Sequence, residues 1–172
     1  MAEHEFDRQY RILDQTLSMH AALRDRYRSR ALLISCALLV AAVILNACVF
    51  VDDATLGILG LHPGNAKVAI GLASVAVFFI SLIELKVDWA GAAQNHSSAV
   101  EKLSILKSRF RQARESVQAL DASTSQDLAS EYARTFAELP PIPEADFNRL
   151  KRHHLVKKLL SEHISQNPGA PI

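Results

Sequence analysis

Apolar residues fall along this chain in two rhythms. Residues 31–51 form one run of 21 positions without a charge, and residues 68–83 form a second of 16. On either side of this pair the apolar positions recur instead at alternating steps of three and four. At a rise of about 1.5 Å per residue the first run covers the roughly 30 Å of a bilayer's hydrocarbon core. Leu85 and Val87 extend the second past Glu84 to the length that a tilted or snorkelling span needs. The pattern predicts two transmembrane spans, at about 31–51 and 67–87, joined by a short loop.

The flanking rhythm is that of a heptad seam. Phe6, Tyr10, Leu13, Leu17, His20, Arg24 and Tyr27 share one face of a helix before the first span. Trp89, Ala92, His96, Ala99, Leu103, Leu106, Phe110, Ala113, Val117 and Leu120 do the same after the second. Neither stretch contains proline, so both helices are expected to continue without a break from the spans into the cytoplasm. Setting Arg30 and Lys86 at one boundary makes antiparallel partners sum to 116. Tyr27 then meets Trp89 as an interfacial aromatic anchor, His20 meets His96, Leu13 meets Leu103, Tyr10 meets Leu106 and Phe6 meets Phe110. The expected fold is an all-α membrane protein in which two transmembrane helices continue into a long cytoplasmic antiparallel helical hairpin, with short C-terminal helices added.

Beyond Leu120 the pattern changes. Ser123, Thr124 and Ser125 before Gln126 and Asp127 read as an N-cap and capping box, opening a helix with Leu128, Tyr132, Phe136 and Leu139 on one side. Pro140, Pro141 and Pro143 end it. An amphipathic helix then runs from about 144 to 164, its apolar positions Phe147, Leu150, Leu155, Leu159 and Leu160 set among basic residues. The domains are therefore 1–120, a two-transmembrane hairpin with a coiled stalk; 121–165, C-terminal helices with a Pro-rich joint; and 166–172, a disordered tail.

Charge sets the orientation. Arg24, Arg26, Arg28 and Arg30 precede the first span, and Lys86, Lys102, Lys107 and Arg109 follow the second, while the loop offers Lys67 against Asp52 and Asp53. Lys and Arg beside spans stay cytoplasmic, which places both termini inside. A cleaved signal peptide fits poorly, because the apolar run is too long and begins after thirty charged-rich residues. With 172 residues, 49% of them hydrophobic, the chain is expected to have no room for a separate enzyme domain; its net charge of +1 says nothing by itself about nucleic acid, and no genomic DNA partner is expected. Cys36 and Cys48 lie twelve positions apart on one helix, about 18 Å by helical rise, too far to pair.

No phosphate loop, metal cluster or nucleophile with a base is visible, so neither catalysis nor a metal or cofactor is expected. Three features remain. Ser35, Ala42 and Asn46 share one side of the first span, and Gly71, Ser74, Phe78 and Ser81 one side of the second. Such stripes pack helices together, or in an oligomer line a pore, with Phe78 as an apolar constriction and Glu84 and Asp88 as an acidic mouth. Asp88 also stands level with Arg28, which offers an ordinary boundary ion pair. His20 and His96 fix the register of the seam or sense protons. Arg149, Lys151, Arg152, His153, His154, Lys157 and Lys158 make the terminal helix a candidate for lipid headgroups or the phosphates of an oligonucleotide, or simply a solvated face.

A charged N-terminal helix, two close spans, and a long following helix with Trp89 and His96 near its start resemble the SLATT family. These are two-transmembrane effector domains found beside SMODS-type nucleotidyltransferases and SLOG domains in bacterial conflict systems. The resemblance covers roughly residues 6–120. It implies a pore-forming effector of antiphage defence in the bacterial inner membrane, acting as a homo-oligomer, with a tetramer as the working guess. It further implies control by an oligonucleotide or cyclic nucleotide from a partner nucleotidyltransferase. The alternative is a membrane-anchored coiled-coil scaffold or adaptor that conducts nothing.

Overall fold

The computed structural model describes residues 2–51, 62–115 and 122–167, and every regular element among them is α-helical. In chain order these are α1 (Ala2–Val49), α2 (Pro63–Val87), α3 (Trp89–Glu115), α4 (Ala122–Ala137) and α5 (Glu144–Gln166). Most of the expected loop, the seam positions Val117 and Leu120, and residues 168–172 of the expected tail lie outside the described residues. The chain divides into two compact units, Met1–Arg26 with Ala93–Ile172, and Tyr27–Ala92.

In the first unit the heptad seams become the core. Phe6, Leu13, Leu103, Leu106, Phe110 and Leu128 form one buried cluster, with Tyr10, Leu17, Ala113, Tyr132, Phe136 and Leu139 packed around it. All five buried residues of α3 (His96, Ala99, Leu103, Leu106 and Phe110) are seam positions. The register is antiparallel: Phe6 stacks on Phe110 with ring centroids 4.9 Å apart, and His20 reaches His96. Leu13, Leu103 and Phe110 are completely buried, each contributing about 1.5–3 kcal/mol by removal from water. α4 covers the far end, where Tyr132 stacks on Phe136 at 4.2 Å and lies 6.3 Å from Phe110. It is already helical at Ala122, so Ser123 and Thr124 sit in its first turn and do not cap it from outside.

α1 buries more than its seam. Met19 and Leu23 are as deeply buried as the seam residues, and one turn separates them, so a second strip of the helix is covered. α5 docks on α1 by polar contacts. The Arg26 guanidinium donates to both carboxylate oxygens of Asp146, at 2.8 and 2.9 Å, and Ser18 Oγ meets His154 Nδ1 at 2.6 Å. Leu150 is the buried apolar residue of α5, while Phe147, Leu155, Leu159 and Leu160 are exposed. The expected apolar face of this helix is thus used at one position in five.

In the second unit, α2 and the adjoining part of α1 each contain a stretch long and apolar enough to cross a membrane, and neither stretch is buried in the chain. α1 runs without interruption from Ala2 to Val49. The second helix does not continue as expected. It breaks at Asp88, whose backbone is left-handed (φ 47°, ψ 58°) while its N–H still donates to the Glu84 carbonyl. Asp88 Oδ1 accepts from the Gly91 amide at 2.9 Å, so one residue ends α2 and N-caps α3. Sequence periodicity misses this because the break costs no residue. Aspartate tolerates the left-handed region better than most side chains and offers an acceptor three residues ahead. Gly91 completes the motif: a Cβ there would stand 2.0 Å from Asp88 Oδ2.

Candidate functional site

Within the second unit, the half-covered positions of α1 are Ala31, Ile34, Leu38, Ala41, Leu45 and Cys48, and those of α2 are Ala66, Ile70, Val77 and Glu84. Both sets follow seven-residue spacing, the signature of helices meeting along a seam. The weakly polar stripes lie elsewhere. Ser35, Asn46, Gly71, Ser74, Phe78 and Ser81 are all exposed. At 100° per residue, each stripe is rotated roughly 90° from its helix's covered face. The polar groups are not idle, since the Ser74 hydroxyl donates to the Ile70 carbonyl, that of Ser81 to Val77, and the Asn46 amide Nδ2 to Ala42, each at 2.9 Å.

A polar contact joins the two helices. Ser35 Oγ donates to Glu84 Oε1 at 2.8 Å. Asp88, one turn on, is committed to Gly91, and no Arg28–Asp88 pair occurs among the ion pairs of the described residues. The acidic pair expected from sequence is therefore split between an interhelical acceptor and a cap. Cys36 and Cys48 are both free thiols.

In the first unit His20 and His96 face each other, Nδ1 to Nδ1, at 2.8 Å, with accessibilities of 1% and 5%. Two ring nitrogens this close need one proton between them, one ring donating and the other offering its lone pair. A second proton would set two N–H groups against each other in a site closed to water. Burial, reinforced by the neighbouring His96, accordingly pushes His20 from 6.5 down to about 4, and burial lowers His96 as well.

The basic residues of α5 divide by face. His154 is spent on Ser18, with Asp14 Oδ2 4.0 Å from its Nε2, and Asp14 itself pairs with Lys107 at 2.5 Å. Arg149 pairs with Asp146, and Lys158 lies 3.9 Å from Glu162. Lys151, Arg152, His153 and Lys157 have no ion pair among the described residues, although His153 and Lys157 do not share one face with the other two. Sequence reasoning singled out neither Asp14 nor Asp146, because isolated acids carry no pattern. Their importance comes from which helix lies opposite. Among the described residues no group of three or more His, Cys, Asp or Glu could hold a metal ion. No family profile, curated protein or solved structure matches the chain.

Proposed function

We propose that this protein is a two-span protein of the bacterial cell membrane, both termini cytoplasmic, whose copies assemble into a channel or pore opened or closed by a nucleotide signal. The class of effector is the one implied by the resemblance to SLATT proteins. The observation that carries the reading is the position of the polar stripes. Consecutive spans joined by a short loop are antiparallel, and rotating each stripe from its covered face then brings both to the same side of the helix pair. Ser35, Asn46, Gly71, Ser74, Phe78 and Ser81 would form one weakly polar side, which Glu84 reaches from the covered seam through its hydrogen bond to Ser35, and the remaining surface would face lipid. A single helix pair cannot enclose water, so conduction requires several copies with that side turned inward. A carboxylate within an apolar helix is costly facing lipid and is best accounted for by a polar neighbour or an aqueous path.

The second reading, a membrane-anchored scaffold, is favoured by a different observation. Asn46, Ser74 and Ser81 already donate to their own helix backbone, a state that lipid tolerates without any pore. Planar-bilayer recording separates the two. Under the pore reading Phe78→Ser hydrates the constriction and raises leak at unchanged expression, and Glu84→Gln alters cation preference. Silent bilayers from both variants, with every nucleotide tried, would leave the scaffold.

A further inference from the structure

α1, α3 and α5 converge in the first unit on an open cleft of about 430 Å³ lined by Asp7, Tyr10, Arg11, Arg114 and Lys158, within the range of roughly 300–1,000 Å³ typical of small-molecule sites. Its charge is unbalanced. Three cations, one from each helix, face it with a single carboxylate, and none of the three has a close acidic partner among the described residues. Arg11 Nε donates to the Asp7 backbone carbonyl at 3.3 Å, leaving its terminal nitrogens unengaged by an acid. Arg114 has no ion pair among the described residues. Lys158 reaches Glu162 only at 3.9 Å, with both side chains more than half exposed, a pair of little strength. Two other surface clefts among the described residues differ in this respect, because each contains its own closed ion pair, Lys102–Glu138 in one and Arg109–Glu131 in the other.

We propose that this cleft binds a phosphorylated small molecule of the nucleotide class. Arginine forks from two helices suit phosphate oxygens, and Lys158 adds a third donor from a third helix. Tyr10, half-buried against the core with Lys107 Nζ 5.9 Å from its ring centroid, lines the cleft beside them, and the Asp7 carboxylate offers an acceptor for a sugar hydroxyl or exocyclic amine. The proposal rests on the nucleotide-signal part of the function above and relocates its input. Of the basic terminal helix only Lys158 takes part, and Arg11 and Arg114, which have no place in that basic run, supply the greater share of the charge. A ligand held this way ties α5 to α1 and α3, so occupancy stabilises the unit by mass action.

The test uses the full chain in phosphatidylcholine nanodiscs, titrated calorimetrically with ATP, inorganic pyrophosphate and adenosine. ATP and pyrophosphate should bind, adenosine should not, and raising the salt should weaken both phosphorylated probes. Arg11→Gln and Arg114→Gln should each cost about tenfold in affinity, while Arg152→Gln, on α5 outside the cleft, stays within about twofold. Adding phosphatidylglycerol to the discs should leave ATP affinity in place; competition by that lipid would assign the site to headgroups instead. Absence of binding by ATP and pyrophosphate, or equal losses from Arg114→Gln and Arg152→Gln, would overturn the proposal. Because conductance is not read here, silent bilayers with intact binding would reject the pore and leave the cleft standing.

Discussion

The two buried histidines face each other Nδ1 to Nδ1, and the fold is expected to weaken as they gain protons. Folding lowers the His20 pKa from 6.5 to about 4, so between those values the unfolded chain holds more protons than the folded one, and stability falls as the pH drops. The stabilisation is complete above pH 6.5 and is lost as pH descends toward 4. By pH 5 the loss amounts to about 2 kcal/mol for His20 alone, and the lowered His96 deepens it. Thermal melts of the detergent-solubilised protein at pH 7.5 and 5 should record this fall, and a His20→Leu, His96→Leu double variant should flatten it. An unchanged pH dependence in that variant would move the effect elsewhere. At the same scale, Leu13→Ala removes a fully buried side chain and should cost about 2–5 kcal/mol in the same melts.

Between residues and molecule stand the helix junctions. At the α2–α3 break, Asp88→Ala forfeits an N-cap worth about 1 kcal/mol. Gly91→Ala should be close to neutral by itself, since about 1 kcal/mol of gained helix propensity is offset by displacing the Asp88 carboxylate. In an Asp88→Ala background the same substitution should stabilise, and the double-mutant cycle should report a coupling of about 1 kcal/mol. Simple additivity would reject the cap. The docking of α5 makes a second test. Asp146 accepts from Arg26 and Arg149, and little apolar area supports the contact, so Asp146→Ala should speed hydrogen exchange across residues 144–166 several-fold while 96–110 remain protected. Unaltered exchange in α5 would show that Leu150 and Ser18–His154 suffice.

For the molecule as a whole, the excess of arginine and lysine beside the spans predicts that reporters fused at residues 1 and 172 both score as cytoplasmic. A periplasmic score at either end removes the two-span topology and the pore with it. The bare apolar surface of α2 and of the corresponding part of α1 is what lipid or other copies would cover under the proposed function. Subunit counting in nanodiscs by mass photometry should give a single closed number above two under the pore reading, and monomers or dimers under the scaffold.

The helices, the two stretches able to cross a membrane, and the seam that buries Leu13, His20, His96, Leu103 and Phe110 were legible from sequence, because burial imposes a period on the residues and the period survives without coordinates. The stripes of small polar residues were legible as patterns too, but not as uncovered surfaces, since which face a helix turns to its neighbour depends on the neighbour. The break at Asp88 left no mark because it preserves chain count, and the docking of α5 left none because it rests on single residues, Asp146 and Ser18, far away in sequence from their partners. The same reason applies to the cleft. Arg11, Arg114 and Lys158 are ordinary surface cations along the chain, and only the packing of three helices in one unit makes a concentrated positive charge of them.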